Sequence, residues 1–341
     1  MKKYYSESPV KNSIYRRDYL NGINTFLENT REKKNLQRTE FITPLSYSQN
    51  QTGYRKKLCE LLGFPLNEPQ ITPTLLEKQF VAEDGNVKIY RLQLLYWNSI
   101  PLYGLYFEQI ENSIECPFVI AQHGGLGTSE LCSSFYSESE NYNHLVRRIT
   151  DRGANVFAPQ LLLWDKDIYG TEYDRFRIDG KLRQLGGSIT ALELYMLRGS
   201  IDYFINHEAI CHSKIGIAGL SYGGMYALHL AAIDTRIRAC YSCSWGHDIF
   251  DFSSPDRSYL NAQSCFSSAE VAALIAPRAL TMAMGDRDEL FPVKQTQETF
   301  AQILPYYKIF NCEDLFLPIV FHGIHELDKQ DIELKFLMDH L

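Results

Sequence analysis

Apolar and polar positions along the chain fall into two textures. Residues 14–38 are rich in charge and keep a helical spacing broken only at Gly22. Residues 52–62 run from a Thr52 cap to Gly63, a second helix with a glycine stop. A connector bearing Pro65, Pro69 and Pro73 follows. From about residue 75 the pattern changes to short β-rich runs at 80–82, 87–95 and 102–108. Asp84-Gly85 joins the first two as a hairpin turn. Buried strands are then predicted at 117–122, 155–158, 214–218, 239–242, 279–284 and 317–321. Helices are predicted at 144–152, 189–205, after 221 through 232, at 295–304 and at 329–341. Strands alternating with helices predict an α/β fold with a mainly parallel sheet covered on both faces, the opening hairpins forming an antiparallel edge.

Composition adds boundaries to this picture. Apolar residues are 45% and charged residues 22%, which excludes a disordered chain and a disulfide-stapled miniature. The overall charge of −7 is uneven: residues 1–60 carry +6 and the remainder −13. That split supports a basic helical N-terminal extension, residues 1–74, on an acidic catalytic domain, residues 75–341. The extension is expected to cap a pocket or to form an oligomer contact, as in a homodimer. No basic surface dominates, so no nucleic-acid partner is expected. The opening residues show no apolar run behind Lys2 and Lys3, so neither a secretory leader nor a membrane segment is expected. The eight cysteines are scattered, and Cys240 and Cys243 lack a second metal-binding pair. They read as free thiols of a reducing cytoplasm, with no metal and no cofactor.

The chemistry concentrates at Gly219-Leu220-Ser221-Tyr222-Gly223-Gly224, set between a strand and an Ala-rich helix. A G-x-S-x-G in that context is a sharp turn that lifts one hydroxyl above the sheet at a helix N-terminus. A serine nucleophile needs a base, and the base needs an orienting acid. At such an elbow the partners follow in the order serine, acid, histidine. The loop after strand 279–284 offers Asp286 and Asp288. Asp288 is preferred, because Gly285, Asp288 and Pro292 match a G-x-x-D spacing with a proline four residues on. The loop after strand 317–321 offers His322 and His325. His325 is preferred, because it lies beyond Gly323, where it can reach over Ser221. Two oxyanion donors are expected, the backbone N–H of Tyr222 and that of Gly125, with Leu126 as the alternative to Gly125. His123 is expected to brace that loop.

These blocks together resemble the α/β-hydrolase superfamily, and more narrowly the dienelactone-hydrolase-like and acetyl-xylan-esterase-related bacterial hydrolases. The similarity spans about residues 54–341. It rests on Gln122-His123-Gly124-Gly125, the elbow, Leu230–Ile237, Ala273–Leu280 and Phe321-His322-Gly323-Ile324-His325-Glu326. It implies an α/β-hydrolase fold, a Ser221–His325–Asp288 triad and hydrolysis of a small carboxylic ester through an acyl-enzyme. The same triad also serves cleavage of C–C bonds, lactones and peptides, and acyl transfer. Trp164, Arg175 and Arg177, in the long segment before the helix at 189, and Trp245, after strand 239–242, are the candidate substrate contacts. The alternative for the two arginines is pairing with neighbouring acids.

Overall fold

The computed structural model describes residues 8–111, 115–135, 141–164, 166, 170–252 and 254–341. The residues outside these include 1–7, on which the expectation of no leader rests, and Asp165, Asp167, Ile168 and Tyr169 of the long segment.

Nine strands make one sheet: β1 Thr74–Asp84, β2 Val87–Tyr96, β3 Ile100–Gln109, β4 Phe118–Gln122, β5 Asn155–Pro159, β6 Ile215–Leu220, β7 Ile237–Cys243, β8 Ala279–Gly285 and β9 Phe316–Phe321. Their order is β1-β2-β3-β5-β4-β6-β7-β8-β9. The first three strands pair antiparallel, β3 meets β5 antiparallel, and every later pair is parallel. β4, β5, β6 and β8 are buried at every position, which explains their unbroken apolar runs. β2 and the edge strand β9 alternate instead.

Helices cover both faces. On one side Gln51–Leu62, Ile189–His207, Tyr222–Ile233 and Val293–Lys308 enclose the larger core. On the other, Leu145–Thr150 and Ile332–Asp339 cover the smaller one. Helix Tyr222–Ile233 is buried almost throughout, so its apolar sequence shows no amphipathic period. Among the described residues no helix is long and apolar enough to cross a membrane.

The N-terminal segment is not of one kind. Helix Pro9–Phe41 is longer than its sequence pattern predicts and has no buried residue. Ile42, Tyr47, Leu58, Leu62 and Leu66 belong to the main core, so the core runs across residue 74. Tyr47, on the short helix Pro44–Gln49, is fully buried. Its hydroxyl lies 2.8 Å from the carbonyls of both Leu274 and Ala276, and it accepts from Arg55 at 2.9 Å. The segment expected as a loop before residue 189 contains helix Arg175–Gln184. Its start is capped by the Asp174 carboxylate on Arg177 N–H, 2.8 Å, and its strongly polar composition hid the apolar period.

Tyr47→Ala should lower unfolding free energy by about 3–5 kcal/mol, the range for a large buried aromatic. Leu36→Ala, at an exposed position of helix Pro9–Phe41, should stay within about 0.5 kcal/mol. Urea titration of both variants checks this, and equal small effects would contradict the core assignment. A second prediction concerns Glu333, buried beside Asp328 on the C-terminal helix. Burial, then the Asp328 charge, push its carboxyl up to about 7. The unfolded chain therefore ionises this group first, and its presence costs stability as pH rises from about 4 towards 7. Glu333→Gln should gain about 2–3 kcal/mol at pH 8 and nothing at pH 4, read as a shift in the urea midpoint.

Candidate active site

Ser221 sits between β6 and helix Tyr222–Ile233 with φ 59° and ψ −119°, a left-handed conformation that a serine does not adopt without enforcement. The enforcement is local. Ser221 N–H donates to the Cys243 carbonyl at 2.8 Å, and Met225 N–H donates back to the Ser221 carbonyl at 3.0 Å. A Cβ on Gly219 would overlap the Gly223 carbonyl, and one on Gly223 would overlap the Gln122 carbonyl. Strand and helix therefore meet at van der Waals contact.

Two later loops are locked together below this turn. Asp286 N–H donates to the Phe321 carbonyl at 2.8 Å and Arg287 N–H to the Gly323 carbonyl at 2.9 Å. A side chain at Gly285 would strike the Gly323 and Ile324 carbonyls. This clamp brings both sequence candidates of each loop into pairs. Asp286 and His322 meet at 3.0 Å on the surface, their side chains 41% and 77% exposed. Asp288 and His325 meet at 2.8 Å, their side chains 0% and 15% exposed. Burial separates the two pairs. Asp288 Oδ1 also accepts from Leu290 and Phe291 N–H at 2.9 and 3.0 Å. Burial alone would raise its carboxyl. The His325 hydrogen bond and these backbone donors outweigh it and hold Asp288 below the ordinary carboxylate range. An ionised Asp288 only accepts, so His325 Nδ1 carries the proton and its Nε2 is left as an acceptor.

His325 and Ser221 line one cavity of about 440 Å³ with Gly124, Gly125, Leu126, Trp164 and Leu290. The glycine loop after β4 forms one wall. Gly124 N–H donates to the Tyr142 hydroxyl at 2.7 Å and Gly127 N–H to the Gly124 carbonyl at 3.0 Å. Those bonds leave the N–H groups of Gly125 and Leu126 as the donors this loop has to offer. His123 is buried behind the wall. Its Nε2 accepts from Leu161 N–H at 3.0 Å, which makes Nδ1 the donor to the Gly124 carbonyl at 2.8 Å. Burial lowers it to about 4, so it stays neutral and braces the loop.

No protein-family model matches the sequence. A Bacillus subtilis protein named "Putative hydrolase YtaP" is 26% identical over 269 residues, 74% of this chain and 86% of that protein. Among solved structures, a "putative acetyl xylan esterase" from Bacteroides fragilis superposes with TM-score 0.66 at 14% identity, covering 87% of this chain and 83% of that one. A glucuronoyl esterase from Solibacter usitatus gives TM-score 0.65 at 14% identity, covering 86% and 92%. The chain has the α/β-hydrolase fold.

The other sequence candidates fall at different depths of this fold. Trp164 lines the cavity, half exposed. Arg175 does not face it; its side chain is 1% exposed in a buried cluster. It forks onto Glu193 at 3.0 and 2.9 Å, reaches Asp256 at 2.7 Å, and donates to the Leu162 carbonyl at 2.6 Å and to Tyr226. Asp256 in turn accepts from the Tyr222 hydroxyl at 3.0 Å. The alternative of pairing with acids thus describes Arg175, although its partners come from other segments than the acids expected. Arg177 is exposed and lies away from the Ser221 cavity. Trp245 is 2% exposed and packs edge-on against His247 and Phe291 in the main core, so it offers no face to a ligand. The correction has one cause: charge and aromaticity in a loop do not reveal which way the side chains turn. Sequence reasoning also missed Tyr142, whose hydroxyl fixes the glycine loop and which no motif marks.

Arg175 ties the Trp164 wall, through the Leu162 carbonyl, to the helix that begins at Tyr222. Arg175→Met should cost about 3–5 kcal/mol, because it strands two buried carboxylates. Arg177→Met should cost less than about 0.5 kcal/mol. Chemical denaturation distinguishes them, and equal effects would contradict the buried-cluster assignment.

Proposed function

We propose that this α/β-hydrolase is a serine carboxylic-ester hydrolase in which Ser221 is the nucleophile, His325 the base and Asp288 its orienting acid. The observation that carries the reading is the 2.8 Å contact between His325 Nδ1 and a buried Asp288, beside a cavity that His325 shares with the strained Ser221. The esterases among the similar structures support the same chemistry.

The residues permit a balanced sequence of steps. Ser221 Oγ attacks the acyl carbonyl as its proton passes to His325 Nε2. The carbonyl oxygen gains the negative charge and accepts from the N–H groups of Tyr222 and Gly125. The helix N-terminus at Tyr222 adds a favourable field. The C–O bond then breaks, and His325 returns its proton to the departing alcohol. Water, deprotonated by His325, attacks the acyl-enzyme and releases the carboxylic acid and free Ser221. Asp288 stays ionised throughout and stabilises the imidazolium. This chemistry requires no metal and no organic cofactor. The wall formed by Leu126, Leu131, Leu290 and Trp164 suits a compact acyl or alcohol group. The free cysteines support a reducing, cytoplasmic setting.

Ser221→Ala should lower kcat on a short-chain aryl acetate by roughly 10⁶-fold. Asp288→Asn should lower it by roughly 10⁴-fold, because the amide leaves His325 in the wrong tautomer. A loss below tenfold for Ser221→Ala, in steady-state assays, would refute the assignment.

A further inference from the structure

Helix Pro9–Phe41 is held by its C-terminal third. Arg31 pairs with Asp248 and with Asp251 at 3.0 Å, and lies 4.8 Å over the Phe250 ring. Arg38 reaches Glu270 at 3.2 Å and the Gln263 carbonyl at 3.0 Å. Upstream, every residue from 8 to 29 is exposed. The stretch 9–29, roughly 30 Å of helix, thus has no covered face. Such a stretch is marginal in water unless an apolar face is buried.

That face exists. Tyr15, Tyr19 and Phe26 are 59%, 74% and 67% exposed, and with Gly22 they are spaced by four, three and four residues. This is the seam spacing of paired helices. At roughly 100° per residue the seam is turned well away from Arg31 and Arg38, which grip the body, so a second helix can approach it unobstructed.

The sequence also selects the occupant. In an antiparallel pairing with a second copy, Tyr15 meets Phe26 and Tyr19 seats over Gly22, so rings fill the spaces left by small residues. The flanking Lys11 comes beside Glu32 of the second copy, twice by symmetry. In a parallel pairing Tyr stacks on Tyr, two glycines leave a gap, and Lys11 faces Arg16. Charge and volume both oppose the parallel arrangement. We propose that the projecting helix Pro9–Phe41 is a homodimerisation arm, pairing antiparallel with the same helix of a second copy through Tyr15, Tyr19, Gly22 and Phe26. The contact is isologous and closes at two copies. It places the arm in the joining of subunits and away from the cavity of Ser221.

Sedimentation velocity over a dilution series of the full chain tests this, with circular dichroism to verify folding. The wild type should be a dimer that dissociates on dilution. Phe26→Glu and Tyr19→Glu should be folded monomers that lose at most the helix signal of the stretch 9–29. Lys11→Glu should weaken the dimer roughly tenfold by setting two acids together, and Lys11→Glu with Glu32→Lys should restore it. A monomeric wild type, or a dimer that survives Phe26→Glu, would overturn the proposal. So would tighter association of Lys11→Glu, the signature of the parallel pairing.

Discussion

Everything at the site depends on one backbone constraint, the turn that holds Ser221 at φ 59°. That conformation persists only because β6 and the following helix cannot separate. Gly219 and Gly223 let their backbones touch, and the Ser221 N–H is tied to β7 through the Cys243 carbonyl. The strain is local, and the buried helix Tyr222–Ile233 and its packing against the sheet resist its release. The turn sets one hydroxyl at a helix N-terminus, where the backbone field suits developing negative charge.

A second constraint sets Asp288 against His325, which lines the same cavity as Ser221. The loops after β8 and β9 are stitched by two backbone hydrogen bonds and by the close approach at Gly285. Asp288 and His325 are therefore adjacent because the loops are, and the buried Phe291 packs beside their hydrogen bond. Phe291 serves twice: its N–H holds Asp288, and its ring packs 5.6 Å from that of His325. The Arg175 cluster acts at a third position, between the wall of the cavity and the helix below it. Its charges are mutually satisfied and turned inward, so it shapes the pocket without entering it.

How far the sequence revealed this varied with the kind of signal. The parallel strands were legible because burial on both faces leaves continuous apolar runs, and the hairpin because Asp84-Gly85 marks it, although Asp84 pairs with Val87 and the turn itself is Gly85-Asn86. The elbow and the two loops were legible because tight turns need glycine and proline at set positions. The 288–325 pairing was preferred on spacing, and the structure brings both candidate pairs together, with only one of them buried. Side-chain direction was not legible. Arg175, Arg177, Trp164 and Trp245 looked alike as chemistry, yet one turns into a buried cluster, one into solvent, one to the cavity and one into the main core. Helix Arg175–Gln184 was hidden by its polarity, and the role of residues 42–66 by a basic composition that suggested an appendage. Charge recorded the surface of that segment, whereas Tyr47, Leu58 and Leu62 decide where it packs.

The account stands on Ser221 being a nucleophile activated by its surroundings. Peptide mapping by mass spectrometry after treatment with a fluorophosphonate reports this directly. The account predicts one stoichiometric adduct, on Ser221, formed far more slowly when His325 is replaced by alanine. Modification of a different residue, or no modification of the folded protein, would contradict it.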